Sequence, residues 1–148
     1  MFDRAWRYGP LLLWLFFISF ASTSEFSADN TSLYVRPLLL WLFPDATETT
    51  LATLHFLIRK AGHFFEYAVL GYLARRAFVG SSNAFIRRRW FELGLAIVVL
   101  NALLDEFHQS FVPTRTASLS DSLIDILGGL TVLLLFKFFK KRQGAAIA

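Results

Sequence analysis

No cysteine occurs among the 148 residues. That excludes a disulfide scaffold, a thiolate nucleophile and cysteine-ligated zinc, and it leaves the redox compartment unreported. Charge is scarce too: Asp, Glu, Lys and Arg make up 18%, against about 25% in a typical soluble domain. Apolar residues reach 55%, with 17 phenylalanines and a mean hydropathy of +0.50. Disorder is thereby excluded, since a disordered chain needs low hydrophobicity. A soluble chain of this length has too little interior to hide so much apolar surface. Internal repeats and low-complexity tracts are missing as well, and the length allows one domain, residues 1–148. The net charge of +4 does not argue for nucleic acid. The basic residues sit in short clusters beside apolar runs, which is the pattern of a membrane protein.

Crossing about 30 Å of hydrocarbon takes roughly 20 helical residues. Trp90–Phe111 and Leu119–Phe139 meet that requirement. Ala61–Val79 does so apart from polar residues near its start and Arg75–Arg76 near its end. The first run, Tyr8–Ser22, is shorter, and Ser22 and Thr23 are expected to extend its helix by bonding to its own carbonyls. Arg4 and Arg7 before it, and Ala21-Ser22-Thr23 after it, also have the look of a secretory signal peptide, so cleavage is the alternative to a retained span. Leu33–Phe43 is too short to cross and is interrupted by Pro37. It reads as an interfacial or re-entrant segment, with Tyr34 and Trp41 suited to headgroup depth. Asp45 followed by Glu48 has the spacing of a helix N-cap and its partner. The helix they open has no breaker until Gly80-Ser81-Ser82-Asn83.

The expected fold is all-α and multi-pass: a four-helix transmembrane bundle with spans at about residues 8–24, 61–79, 90–111 and 119–139. The interfacial segment, at about 33–43, lies between the first two helices. Arg4, Arg7, Arg75, Arg76, Arg87, Arg88, Arg89, Lys137, Lys140, Lys141 and Arg142 flank one face of that bundle, eleven of the fifteen basic residues. Arg36, Arg59, Lys60 and Arg115 flank the other. Positive charge marks the inner side, so both termini are expected in the cytoplasm.

Combining this orientation with the polar residues gives a second expectation. Lys60, His63, Glu66 and Tyr67 open the second span; Asp105, Glu106, His108 and Gln109 close the third; Ser118, Ser120, Asp121 and Asp125 open the fourth. Each set falls at the outer end of its helix. Residues three and four apart share a face, and a charge in the membrane costs at least about 2.5–3.5 kcal/mol unless it faces the bundle interior or a wet cavity. The three faces are expected to converge on a polar pocket open to the outside. Plainer readings exist for single residues. Ser118 and Asp121 have capping-box spacing, and Arg59 and Lys60 suit snorkelling. Gln109 and Tyr67 suit interhelical bonding, as Gly128-Gly129 suits close packing. Arg115 has Asp105 and Asp121 to neutralise. His55 and Glu92 are given no role.

The runs Lys60-Ala61-Gly62-His63-Phe64-Phe65-Glu66-Tyr67, Asp105-Glu106-Phe107-His108-Gln109-Ser110-Phe111-Val112-Pro113-Thr114-Arg115, and Ser118 through Asp121 to Gly128 together resemble the VanZ-like family. Its pattern is K-x-x-H-F-x-x-Y, D-E-x-x-Q-x-F-x-P-x-R and S-x-x-D-x-x-x-N-x-x-G. The resemblance covers about residues 50–135 in order and spacing. It departs at Thr114, where the family usually has glycine, and at Asp125, where it usually has asparagine. The second change adds an acidic group to the pocket. The resemblance implies a bacterial plasma-membrane protein of a family named after teicoplanin resistance, with no established reaction.

Three function classes fit such a pocket. In the first, it binds an anionic lipid-linked or cell-wall-related headgroup: Lys60 and Arg115 hold the anion, His63 donates a hydrogen bond, and Glu66, Tyr67, Asp105, Glu106, Gln109, Ser118, Asp121 and Asp125 complete the site. In the second, it is a membrane hydrolase or transferase in which His63 or Glu66 is the base, Asp105 or Glu106 the acid, and Arg115 the electrostatic stabiliser. A transporter or proton relay is disfavoured, because the lower spans are almost wholly apolar apart from Asn101. His63, Glu66, Asp105 and His108 have zinc-ligand chemistry, but no H-E-x-x-H motif joins them and His108 lies outside the family pattern. No cofactor and no metal is therefore assigned. Binding is preferred over catalysis, and the expected partners are membrane lipids and a lipid-linked envelope precursor, without nucleic acid.

Overall fold

The computed structural model describes residues 2–114 and 118–145, which form six α-helices: α1 (Phe2–Ala21), α2 (Ala28–Leu42), α3 (Glu48–Val79), α4 (Ala84–Arg88), α5 (Trp90–Gln109) and α6 (Leu119–Ala145). A single 3₁₀ turn, Ser24–Phe26, precedes α2, and no strand occurs among the described residues. The chain is all-α.

Local chemistry sets the helix ends, and in four places it corrects the sequence reading. First, Ser22 and Thr23 do bond back to the carbonyls of Ile18 (3.0 Å) and Phe20 (2.8 Å), yet α1 stops at Ala21 rather than near residue 24. The backbone turns there into the 3₁₀ segment. Second, the segment 33–43 belongs to a longer helix. Ser27 caps α2 by accepting from the Asn30 N–H, and the helix runs through Pro37. Proline forfeits one ladder bond without ending the helix, because α2 packs against α3 and the neighbouring turns hold it. Third, the cap of α3 is Thr47, which accepts from the Thr50 N–H at 3.2 Å, whereas Asp45 sits in the preceding turn. Fourth, α5 ends at Gln109, two residues short of Phe111. The N–H groups of Ser110 and Phe111 fold back onto the carbonyls of Glu106 and His108.

Helix α3 is the axis of the assembly. Helix α6 packs along it and α5 packs on both, while α1 lies on α3 and α2 covers its first turns. The seam between α3 and α6 is built from absent side chains. A Cβ on Gly128 would sit 2.1 Å from the Phe64 carbonyl oxygen, and one on Gly71 would sit 2.6 Å from that of Gly129. Small residues let helix backbones approach closely where apolar burial itself gives little drive. The core between the helices mixes small and large side chains: Ala74, Ala77, Val98 and Ala102 are fully buried beside Tyr67, Leu70 and Leu133.

Much of the apolar surface faces outward. Leu12, Leu13 and Phe16 on α1, Leu103, Leu104 and Phe107 on α5, and Leu123, Leu127 and Phe138 on α6 are all exposed. Within α6, Leu119–Phe139 is long and apolar enough to cross a membrane, and only 28% of its most apolar stretch is buried. The core helix of a soluble protein would be mostly buried. Helix α1 and the Ser24–Leu42 segment pass the same criterion together, with a 71° bend between them. Helices α3 and α5 do not, since Glu66, Arg75 and Arg76 interrupt the one and Glu92, Asp105 and Glu106 the other.

The two ends of the bundle differ chemically. At one end cations stack on rings: the Arg75 guanidinium lies 3.8 Å from the Phe136 ring centre, and the Lys137 ammonium 4.0 Å from that of Phe91. Tyr8 donates to Ser81 there at 3.1 Å. At the other end, carboxylates gather.

Candidate functional site

Three helices deliver the polar residues to that second end. Helix α3 brings Arg59, Lys60, His63 and Glu66 in its middle turns; α5 brings Asp105, Glu106 and Gln109 in its last turns; α6 brings Asp121 and Asp125 in its first two turns. Antiparallel packing sets these segments side by side. One ligating atom from each of His63, Asp105 and Asp125 lies within 4.8 Å of the others.

Each carboxylate has its own partners. The Nδ1 of His63 and the Oδ1 of Asp125 are 3.1 Å apart, and Asp125 is fully buried. Its Oδ2 has no hydrogen-bond partner among the described residues. A buried polar atom left so costs about 1–3 kcal/mol, more when charged, so it calls for an explanation. Asp105 is held on both oxygens: Ser22 Oγ donates to Oδ1, and Gln109 Nε2 donates to Oδ2 at 2.8 Å. Lys60 Nζ pairs with Asp121 Oδ1, which also accepts from Ser120 Oγ at 3.3 Å. Glu106 is buried, and its Oε2 accepts the backbone N–H of Ser118, tying the start of α6 to the end of α5.

Two clefts open beside this cluster. One of about 220 Å³ is lined by Ser22, Arg59, Gly62, His63, Glu66 and Asp105, among others. A second, of about 180 Å³, shares Arg59, His63 and Gln109 with it and reaches Lys60, Thr114 and Asp121. An apolar groove of about 340 Å³ runs from the first cleft down the joint between α1 and α3. It is lined by Trp14, Phe17, Phe65 and Val69, and it shares Ala21, Phe26, Gly62 and Glu66 with the cleft. Above the first cleft, Arg59 donates to the Phe26 carbonyl at 3.0 Å. His55 faces Thr31 at 3.1 Å between its Nε2 and the Thr31 Oγ1. Burial, and then the nearby Arg59 guanidinium, push the His55 imidazole below its ordinary value. Burial also lowers Arg59, against the opposite pull of Asp121.

Some sequence candidates lie elsewhere. Tyr67 is fully buried and turned toward α5, where its phenol accepts from Asn101 Nδ2 at 3.1 Å. His108 is exposed, although it follows Asp105 by three residues, so a metal set of His63, Glu66, Asp105 and His108 does not assemble; Asp125 takes the place beside His63 and Asp105. Arg115 lies outside the described residues. Two contributors were not legible beforehand. Ser22 reaches Asp105 from α1, and Trp14 Nε1 donates to the Glu66 carbonyl at 2.9 Å. The only sequence signal for Ser22 was a hydroxyl closing an apolar run.

Comparison with known proteins gives one finding. A family model described as VanZ/LLP1 matches residues 6–140. No curated protein and no solved structure matches the chain.

Proposed function

Because the chain belongs to the VanZ/LLP1 family, we propose that it is an integral membrane protein of the bacterial envelope that binds the anionic headgroup of a lipid-linked precursor. In this reading α1, the later turns of α3, α5 and α6 span the bilayer as one domain, both termini are cytoplasmic, and α2 lies in the headgroup layer. The exposed leucines and phenylalanines of those helices then meet acyl chains. Tyr34 and Trp41, exposed on α2, take the interfacial depth their rings favour. The excess of Lys and Arg at the end opposite the carboxylates supports the orientation.

The observation that carries the ligand assignment is the continuity of a charge-bearing cleft with an apolar groove. A cleft whose largely apolar wall carries Arg59, His63 and Asp105 runs into a groove bearing Trp14, Phe17 and Phe65, and Gly62 forms part of both. Such a shape suits a molecule with a polar head on a hydrocarbon tail. The anion sits against Arg59 and Lys60 at the rim, while the carboxylates below accept hydroxyl or amine donors. A link to teicoplanin tolerance belongs to the same proposal and rests on the family resemblance.

Native mass spectrometry of the purified chain with a lipid-linked cell-wall precursor tests the reading. The expected result is retention of the intact precursor, with little retention of its free headgroup. Gly62→Leu, which fills the junction of cleft and groove, is expected to abolish that retention. Equal retention by Gly62→Leu refutes the proposal, and a changed mass of the precursor would mark turnover at the same pocket.

A further inference from the structure

We infer that His63, Asp105 and Asp125 form a binding site for a small first-row divalent cation, zinc above all. The inference does not rest on the headgroup reading, since an ion held here stands whether or not a lipid enters the cleft.

The ligand set comes from three helices, and its donor atoms already lie within 4.8 Å of one another. Zinc–nitrogen and zinc–oxygen bonds of about 2.0–2.2 Å place donors around a tetrahedral ion roughly 3.3–3.6 Å apart. His63 Nδ1 and Asp125 Oδ1 are at 3.1 Å, near that spacing, and the pairs with Asp105, which lie within 4.8 Å, close onto an ion by a side-chain shift of at most about 1.5 Å. One imidazole and two carboxylates suit zinc or manganese, while magnesium and calcium favour oxygen alone. Two carboxylates and a divalent ion are together neutral, which offsets the cost of keeping both acids in one dry layer.

A second observation points to a ligand independently of the cluster. Asp125 is fully buried, and its Oδ2 is without a hydrogen-bond partner among the described residues while Oδ1 faces His63. A cation between the three side chains supplies that partner. The surroundings of Asp105 fit the same role. Ser22 and Gln109 fix its two oxygens by donating to them, as outer-shell donors orient a ligating carboxylate. Each oxygen keeps a lone pair for an ion. Three protein ligands leave a fourth position, and the 220 Å³ cleft provides room for water or an incoming oxygen there.

The test uses the full chain in detergent, stripped with a chelator and titrated calorimetrically with Zn²⁺ alone and, separately, Mn²⁺ alone. One ion per chain is expected. Losing one of the three ligands should exceed the roughly 10–100-fold effect of an outer-shell change, so His63→Ala and Asp125→Asn should each weaken binding at least about a hundredfold. Glu92→Gln, an exposed change at the opposite end of α5, should change it less than about twofold. Cobalt(II) added to the wild-type chain should give visible bands that Zn²⁺ displaces, a readout that needs no variant to fold. Absence of ion binding by the folded wild type, or unchanged affinity in folded His63→Ala and Asp125→Asn, overturns the inference.

Discussion

Gly128→Ala perturbs the assembly at its tightest point. The new Cβ would lie 2.1 Å from the Phe64 carbonyl oxygen, and contacts under 3.0 Å essentially never occur. The gap must open by at least 0.9 Å, the difference between those distances. The obstacle is backbone, so no rotamer change relieves it; α6 has to move away from α3. Overpacking of this kind costs about 1–3 kcal/mol. For a chain of this size each kcal/mol shifts the melting temperature by about 2–4 °C, so a drop of roughly 2–12 °C is expected in a detergent thermal melt. Gly128 lies one turn below Asp125, so the same displacement should also pull Asp125 from His63 and weaken any ligand held there. Gly62→Ala is the matched control. Nothing lies within 4 Å of its added Cβ, and replacing a mid-helix glycine stabilises by about 0.5–1 kcal/mol. A Gly128→Ala chain that melts at or above the wild-type temperature would refute the account of the α3–α6 seam.

Other perturbations separate the remaining interactions. Lys60→Met leaves the buried Asp121 without its countercharge and should cost about 2–4 kcal/mol, most of which Asp121→Leu should restore in the double variant; thermal melts of the four-member cycle measure it. Trp14→Phe removes the donor to the Glu66 carbonyl and should cost about 1 kcal/mol; an unchanged melt would mean the contact contributes nothing. Asn101→Leu leaves the Tyr67 hydroxyl buried and undonated, costing about 1–3 kcal/mol, and adding Tyr67→Phe should recover part of that loss. His55 holds fewer protons folded than unfolded between its lowered value and 6.5, so acidification through that window should reduce stability. His55→Gln should flatten this part of the pH profile, read as melting temperature against pH.

The sequence made the polar layer legible because charge in an apolar helix is conspicuous, and spacing assigns it to a face. Spacing did not decide between residues on neighbouring parts of a face. His108 and Gln109 stand about 60° and 40° to either side of Asp105 around the helix. Gln109 is buried and donates to Asp105, whereas His108 is exposed. Tyr67 shows the same ambiguity, since it shares a face with His63 yet turns to Asn101. Ser22 and Trp14 were invisible for another reason. Their partners are 83 and 52 residues away, and an apolar N-terminal run has the same composition whether it packs on a bundle or not. At Pro37 the error was one of local propensity. A missing N–H weakens a helix, but tertiary contact with α3 kept α2 intact.

The length of α3 bears on how a ligand reaches the cleft. At about 1.5 Å per residue, its 32 residues extend roughly 48 Å, well beyond some 30 Å of hydrocarbon. In the proposed membrane placement, the turns from Glu48 to Lys60 stand proud of the bilayer with α2 leaning on them, like a post and its buttress. A tailed molecule drifting in the outer leaflet would slide in sideways between α1 and α3, its tail still solvated by neighbouring lipids. Its head would come to rest under this overhang without ever passing through bulk water.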